Sequence, residues 1–388
     1  MLLDMVRGRR FPWSVAAVAC LVVGCRSVPP RPAPEARRAA TETIETSLFL
    51  IGDAGAPDPR GEPVLEALRR ELERAPERSF VVFLGDNVYP RGLPAPGAPG
   101  HSEGRRRLDA QIDAILGSGA RGLFIPGNHD WDRSGREGLA RVRRQEEYVV
   151  GRGGSRVTFL PRHGCPGPVV DDVGAQLRLV ALDTQWWLHE GEKPHGAGSG
   201  CEPGTDAEVV AALRQALAGA APRRAVVLAH HPLVSGGTHG GHFSLADHLF
   251  PLRAWKGWLW LPLPVVGSLY PVTRREGVFS QDIPAPPYRH MIESLESAFD
   301  EDPPFLWASG HEHGLQVLEG REARWLLVSG AGILGHTRAP AWIPSTRFAS
   351  GDAGFMRLDV LWNGRMRLTV LAVDREARAA ESFVLDLE

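Results

Sequence analysis

Five times along the chain an unbroken apolar run stops at a short polar group of the kind that binds cations. The sharpest case is Phe80 to Leu84, followed by Gly85-Asp86-Asn87-Val88-Tyr89. An apolar run of this length, bounded by a turn signal, reads as a strand buried on both faces. In open α/β sheets ligands gather outside the carboxyl ends of such strands, so Asp86 sits where chemistry is done. The same grammar recurs at Ser47 to Gly52 before Asp53, and at Gly122 to Ile125 before Gly127-Asn128-His129-Asp130. It recurs again at Ala225 to Ala229 before His230-His231-Pro232, and at Phe305 to Ala308 before Gly310-His311-Glu312-His313. A lone Gly-Asp-Asn after a strand is usually only a turn. Five such ends in one chain confine the fold to an α/β architecture with its polar groups on one sheet edge.

Between these strands the periodicity changes to that of helices. Val64, Leu65, Leu68 and Leu72 share one face of a helix over Pro63 to Arg74, and Leu108, Ile112, Ile115 and Leu116 mark a second. An arginine-rich helix is predicted over Gly135 to Tyr148, and another over Asp206 to Leu217 with Thr205 or Asp206 as its cap. Gln176 to Leu182 reads as a further strand ending at Asp183. Trp325 to Val328, Phe355 to Leu361, Met366 to Val373 and Phe383 to Leu387 make the end of the chain strand-rich. The Asn363-Gly364 turn predicts antiparallel pairing there.

The amino terminus reads as targeting rather than fold. Arg7, Arg9 and Arg10 precede an apolar stretch, Phe11 to Gly24, that is short for a membrane span. Leu21-Val22-Val23-Gly24-Cys25 resembles a bacterial lipobox, which implies a signal peptide over 1–24, a lipidated Cys25 and an exported, membrane-anchored protein of the cell envelope. The alternatives are a plain secretion signal and an uncleaved anchor. Residues 25–46, rich in Pro, Ala, Arg and Glu, read as a tether, which leaves 47–388 as the folded domain. Cys165 and Cys201 then remain, both in Gly/Pro-rich loops; an oxidising compartment would pair them, the alternative being two free thiols. A formal net charge of −2 argues against nucleic acid as a partner.

Taken together, the strand ends offer Asp53, Asp86, Asn128, His230, His311 and His313, with Tyr89 three residues beyond Asp86. Carboxylates, an amide oxygen, imidazoles and a phenol suit a pair of metal ions, which in phosphoryl transfer stand about 3.5–4 Å apart. The ordered set Gly-Asp, Gly-Asp-Asn, Gly-Asn-His-Asp, His-x-Pro and Gly-His-x-His resembles the calcineurin-like metallophosphoesterase superfamily. Two details resemble its purple acid phosphatases, of the small tartrate-resistant type. Position 55 is Gly rather than the histidine of an Asp-x-His opening, and Tyr89 occupies the phenolate position of a Gly-Asp-Asn-x-Tyr motif.

The resemblance spans about Leu48 to Gly332. It implies a four-layer αββα sandwich. It also implies Asp53, Asp86, Tyr89 and His313 around one metal, expected to be Fe(III). Asp86, Asn128, His230 and His311 would surround a second, which is Fe, Zn or Mn. His129 and His239 would bind phosphate or protonate a leaving group. Ala54, Ala229 and His231 depart from the family's usual residues without removing a ligand. Asp130 and Asp183 are expected to orient neighbouring groups, Glu312 to point away from the metals, and His189 and His336, among other histidines, to be structural or solvated.

The residues 243–288 stand outside the motif skeleton. Their run Trp255 to Val266 is apolar, aromatic and broken by prolines, which argues against a spanning helix. It reads either as a lid on the core or as a contact with the membrane interface, a zone that favours Trp. The expected activity is hydrolysis of a phosphate monoester. The alternatives are a phosphodiesterase or pyrophosphatase acting on nucleotides or lipid-linked phosphates, and a lipid-anchored binding protein without catalysis.

Overall fold

The computed structural model describes residues 43–254 and 259–387. The stretch expected to be a signal peptide, Cys25 and Trp255 to Trp258 lie outside these residues. Fourteen strands form two seven-stranded sheets among the described residues. The first sheet takes β1 (Ile44–Ile51), β2 (Ser79–Phe83), β3 (Arg121–Phe124) and β4 (Val157–Phe159) in parallel, and β12 (Gly354–Leu361), β13 (Met366–Val373) and β14 (Ala379–Leu387) as an antiparallel meander beside β1. The second contains β5 (Val169–Val173), β6 (Leu177–Ala181), β7 (Arg224–Leu228), β8 (Leu306–Ser309), β9 (Leu315–Glu319), β10 (Trp325–Ser329) and β11 (Thr346–Ser350).

Alternation along the strands builds the layers. In β1, Leu48 and Leu50 enter the core between the sheets, where they meet Leu179 of β6, Leu228 of β7 and Leu327 of β10. Their neighbours Phe49 and Ile51 face the other way, onto α1 (Pro63–Glu73), α2 (His101–Ser118) and α3 (Gly138–Gly153). On the far side Val180, Val227 and Trp307 receive α4 (Gln185–Leu188), α5 (Asp206–Ala218) and α8 (Pro286–Glu296). Each strand of the centre is therefore buried on both faces, which is why it reads as a continuous apolar run. The result is the expected αββα sandwich with a strand-rich end. The β12–β13 hairpin turns at Asn363-Gly364, with Gly364 at φ +84°. Thr205, rather than Asp206, caps α5, in a reciprocal capping box with Glu208.

Three features depart from the sequence reading. Strand β1 starts at Ile44, so its first residues fall within the stretch read as tether. The short strands β4, β5, β9 and β11 have no counterpart in that reading: β4 spans only three residues, and polar residues interrupt the apolar run in the other three. The segment 243–288 is also not one appendage. Its beginning forms α6 (Leu245–Leu249) and α7 (Leu269–Arg275), but its end enters α8, where Tyr288 is fully buried and donates to the Pro232 carbonyl at 2.8 Å. Trp260, Leu261, Val265 and Val266 are exposed, not packed on the core as a lid would be. No described helix is long and apolar enough to cross a membrane. Cys165 and Cys201 form a disulfide with Cα atoms 5.5 Å apart, joining the loop before β5 to the loop before α5.

Candidate metal centre

Parallel register brings the strand ends level. Ile51 pairs with Phe83, and Phe83 with Phe124, so Asp53, Asp86 and Asn128 leave the first sheet along one edge. In the second sheet Leu228 pairs with Ala308, which brings His230 and His311 to the matching edge. The edges are joined directly: Gly52 N–H donates to Ser329 O at 2.7 Å, and His230 Nδ1 to Leu84 O at 2.8 Å. The oxygen ligands predicted from the sequence thus come from one sheet and the imidazole ligands His230, His311 and His313 from the other, while His129 leaves the first sheet.

The backbone is bent sharply to achieve this. Asp53, Asp86 and His311 have φ of 59°, 57° and 69°, a left-handed conformation uncommon for residues with a side chain. Glycine precedes the Asp86 and Asn128 side chains for a steric reason. A Cβ on Gly85 would lie 2.6 Å from His230 Nδ1, and one on Gly127 would lie 2.4 Å from Asp86 Oδ1.

Two clusters share Asp86. In one, Tyr89 Oη donates to Asp53 Oδ1 at 2.9 Å and stands 3.1 Å from His313 Nε2, which is itself 3.4 Å from Asp53 Oδ1. In the other, Asn128 Oδ1 lies 3.0 Å from His230 Nε2 and 3.2 Å from His311 Nδ1, and Asp86 Oδ1 lies 3.4 Å from His230 Nε2. Backbone carbonyls fix the histidine tautomers. Leu84 O can only accept, so His230 Nδ1 carries a proton; Gln281 O, 2.9 Å from His311 Nε2, does the same for that ring. His311 Nδ1 is then a lone pair facing another acceptor, Asn128 Oδ1.

Burial and the neighbouring rings His239, His231 and His230 hold the His311 pKa far below the ordinary histidine value, so a proton does not relieve that contact. A cation between them does. Burial disfavours charge on His230, yet Asp86 and Asp53 outweigh it and raise its pKa. Burial also opposes ionisation of Asp86, but His230 and His129 hold its carboxyl at about 2. Burial followed by the charges of Asp53 and Asp86 keeps Tyr89 a phenol well above its usual pKa, and only a bound cation would reverse that. The donor set fits a pair of metal ions: Asp53, Asp86, Tyr89 and His313 for one, Asp86, Asn128, His230 and His311 for the other.

The surrounding groups divide between those expected and those that were not. Asp130 accepts from Gly127 N at 2.8 Å, Asn87 N at 3.0 Å, Asn87 Nδ2 at 3.0 Å and Val88 N at 3.1 Å, tying the Asp86 turn to the Asn128 turn. Asp183 accepts from Trp131 Nε1 at 2.8 Å. Glu312 turns from the metal site to receive His239 N and Gly240 N. His129 donates through Nδ1 to Pro90 O at 2.7 Å, and its Nε2 stands 3.8 Å from Asp86 Oδ2. His231 lies beside His230 and His311, with its nitrogens engaged by Thr184 Oγ1 at 2.8 Å and Gln281 Oε1 at 2.9 Å, so it frames the site. His239 Nδ1 is held by Asp282 Oδ1 at 2.8 Å, and Arg274 grips the same carboxylate. Its ring lies 4.0 Å from that of His311.

His336, read as structural or solvated, belongs in the cleft: its ring is 4.3 Å from that of His313, and burial, then His313, lowers its pKa to about 4. His189 is buried against Trp131, as a structural histidine should be. Arg274, Gln281 and Asp282 were missed because nothing local marks them. The cleft has a volume of 780 Å³ and combines Asp86, Asn128 and His129 with Arg133, Tyr270 and Arg274.

No protein-family model and no curated protein sequence matches the chain. Solved structures do. A purple acid phosphatase, PPD1, from yellow lupin (Lupinus luteus) seeds superposes with a TM-score of 0.54 at 15% identity, over 89% of this chain and 54% of that one. The chain thus spans about half the length of the lupin protein. PhoD superposes with a TM-score of 0.53 at 11% identity, over 92% of this chain and 72% of the other. GAP50, the anchor in the inner membrane complex of Plasmodium, gives 0.52 at 14% identity and 89% of each chain. The chain therefore has the two-sheet α/β sandwich fold of these three structures.

Proposed function

We propose that the chain is a hydrolase that cleaves phosphate monoesters with two metal ions. The observation that carries this reading is the meeting of His230 Nε2, His311 Nδ1, Asn128 Oδ1 and Asp86 Oδ1, with both ring tautomers set by carbonyls behind them. The fold shared with a purple acid phosphatase supports it. A metal pair supplies Lewis acidity there, acidifying water and drawing charge from the phosphoryl group. The chain's own groups do the rest. Leu84 O and Gln281 O hold two imidazoles in the ligating tautomer. Asp282 fixes His239 Nδ1, whose Nε2 makes no bond among the described residues and is open to the cleft. His129, anchored to Pro90 O, presents Nε2 beside Asp86, where its protonated form can donate to a departing alkoxide. Burial lowers the His129 pKa, which confines that form to the acid side of neutrality.

The test is His311→Ala and Asp86→Ala in the metal-loaded protein. Turnover of p-nitrophenyl phosphate should drop at least about a thousandfold, with the circular dichroism spectrum retained. Near-normal activity in either variant would refute the assignment. We assign Fe(III) to the Tyr89 site and Fe, Zn or Mn to the other. A visible tyrosinate band that Tyr89→Phe removes would support this, and an iron-loaded protein without the band would exclude it. GAP50 is described as an anchor, so the fold also occurs in a protein with that role; the complete donor set of this chain favours hydrolysis.

We further propose that the protein is exported and anchored through a lipidated Cys25, and that the exposed apolar face including Trp260, Leu261, Val265 and Val266 meets the membrane. Deleting Trp255 to Val266 from protein lacking the signal should lower co-sedimentation with liposomes; unchanged partitioning counts against this contact.

A further inference from the structure

The turn that follows the Asn128 ligand is braced at every side chain but one. Asn128 faces His230 and His311, His129 donates to Pro90 O, and Asp130 collects four N–H donors. Trp131 Nε1 donates to Asp183, Asp132 meets Arg91 at 3.4 Å, and Ser134 Oγ accepts from Gln185 Nε2 at 3.0 Å. Arg133, between them, is exposed, lines the cleft, and makes no side-chain hydrogen bond or ion pair among the described residues. Its backbone is not free. Asp132, Arg133 and Ser134 have φ of 57°, 53° and 61°, and Arg133 N donates to Asn128 O at 2.9 Å. Three successive left-handed residues with side chains are costly and persist only when their surroundings over-determine them. The strain here aims one unpaired cation into the cleft.

The other arginines of the cleft are already engaged: Arg274 grips Asp282, and Arg338 is paired with Asp247. Asp86 is committed to the metal site. Arg133 lines the same cleft as His129, and its N–H is bonded to Asn128 O, immediately beside that residue. It therefore stands on the side where the departing group of an ester would lie. We propose that Arg133 binds a second anionic group, carried by the leaving group, so that the preferred substrates are phosphate monoesters bearing a further phosphate or carboxylate. This rests on the hydrolase reading of the same site.

Calorimetric titration of the metal-loaded full chain with ω-carboxyalkylphosphonates, each against the uncharged alkylphosphonate of equal length, tests it. At low salt wild type should bind the dianionic-plus-carboxylate ligand about tenfold tighter at one or more chain lengths, a preference that shrinks at high salt. Arg133→Met should bring the ratio near one, while Arg133→Lys should keep most of it. A ratio near one in wild type at every length overturns the proposal. So does a ratio unchanged in Arg133→Met, or an equal loss for both ligands in that variant. The ratio reads Arg133 whether or not an ester turns over. Absence of p-nitrophenyl phosphate hydrolysis alongside an Arg133-dependent ratio would count against the hydrolase reading alone.

Discussion

Asp130→Ala removes the carboxylate that joins the two ligand turns. Four donors lose their acceptor: Gly127 N, Asn87 N, Asn87 Nδ2 and Val88 N, all within 3.1 Å of an Asp130 oxygen. Asp130 is wholly buried, so bulk water does not replace it. A stranded buried donor costs about 1–3 kcal/mol. Four would sum to more than the site can express, because relaxation and an admitted water recover part of it. A net loss of about 3–5 kcal/mol is expected, as for other buried groups left unpaired. For a domain of this size that lowers the melting temperature by about 4–7 °C.

Asp130→Asn keeps one acceptor but turns an amide toward donors, and should lose about half as much. Urea denaturation of metal-free protein measures both. Metal affinity should fall together with stability, because the Asp86 and Asn128 turns lose their common tie. A loss under about 1 kcal/mol in Asp130→Ala, with metal affinity intact, would refute the claim that this carboxylate sets the ligand geometry.

Two further predictions concern parts of the molecule away from the ligands. Burial raises the Asp183 carboxyl from the model-peptide value of 3.8 to about 7. Its folded pKa lies above its unfolded one, so its ionisation opposes folding: the contribution is neutral below about 4, grows less favourable as pH rises to about 7, and is constant above that. Between those pH values the stability difference between Asp183→Asn and wild type should shift by about 2–4 kcal/mol in favour of the variant. A pH-independent difference would show that the carboxyl titrates normally. The Cys165–Cys201 bridge closes a sequence separation of 36 residues. Cys165→Ser with Cys201→Ser should therefore cost about 4 kcal/mol in urea denaturation, chiefly through the entropy of the unfolded chain; a negligible loss would show that the loops are held without it.

What the sequence determined is the part of the site that follows a strand within a few residues. Asp53, Asp86, Asn128, His230 and His311 were readable because buried parallel strands are apolar on both faces and end on one edge. The glycines at 85 and 127 were legible for a related reason, since backbone and ligand approach there too closely for a Cβ. Local signals could not reach further. The tautomers of His230 and His311 depend on Leu84 O and Gln281 O, groups that every residue possesses and that no composition marks. His336 enters the cleft on an irregular loop, and Asp282 and Arg274 come to His239 from 35 to 43 positions away. No periodicity links such positions; only the packing of one sheet upon the other, and the return of the chain through α7, brings them to His239. Tertiary structure alone decided that Arg274, Gln281, Asp282 and His336 surround the ligands, because their contacts are fixed by the closing of the sandwich and not by any neighbour in the chain.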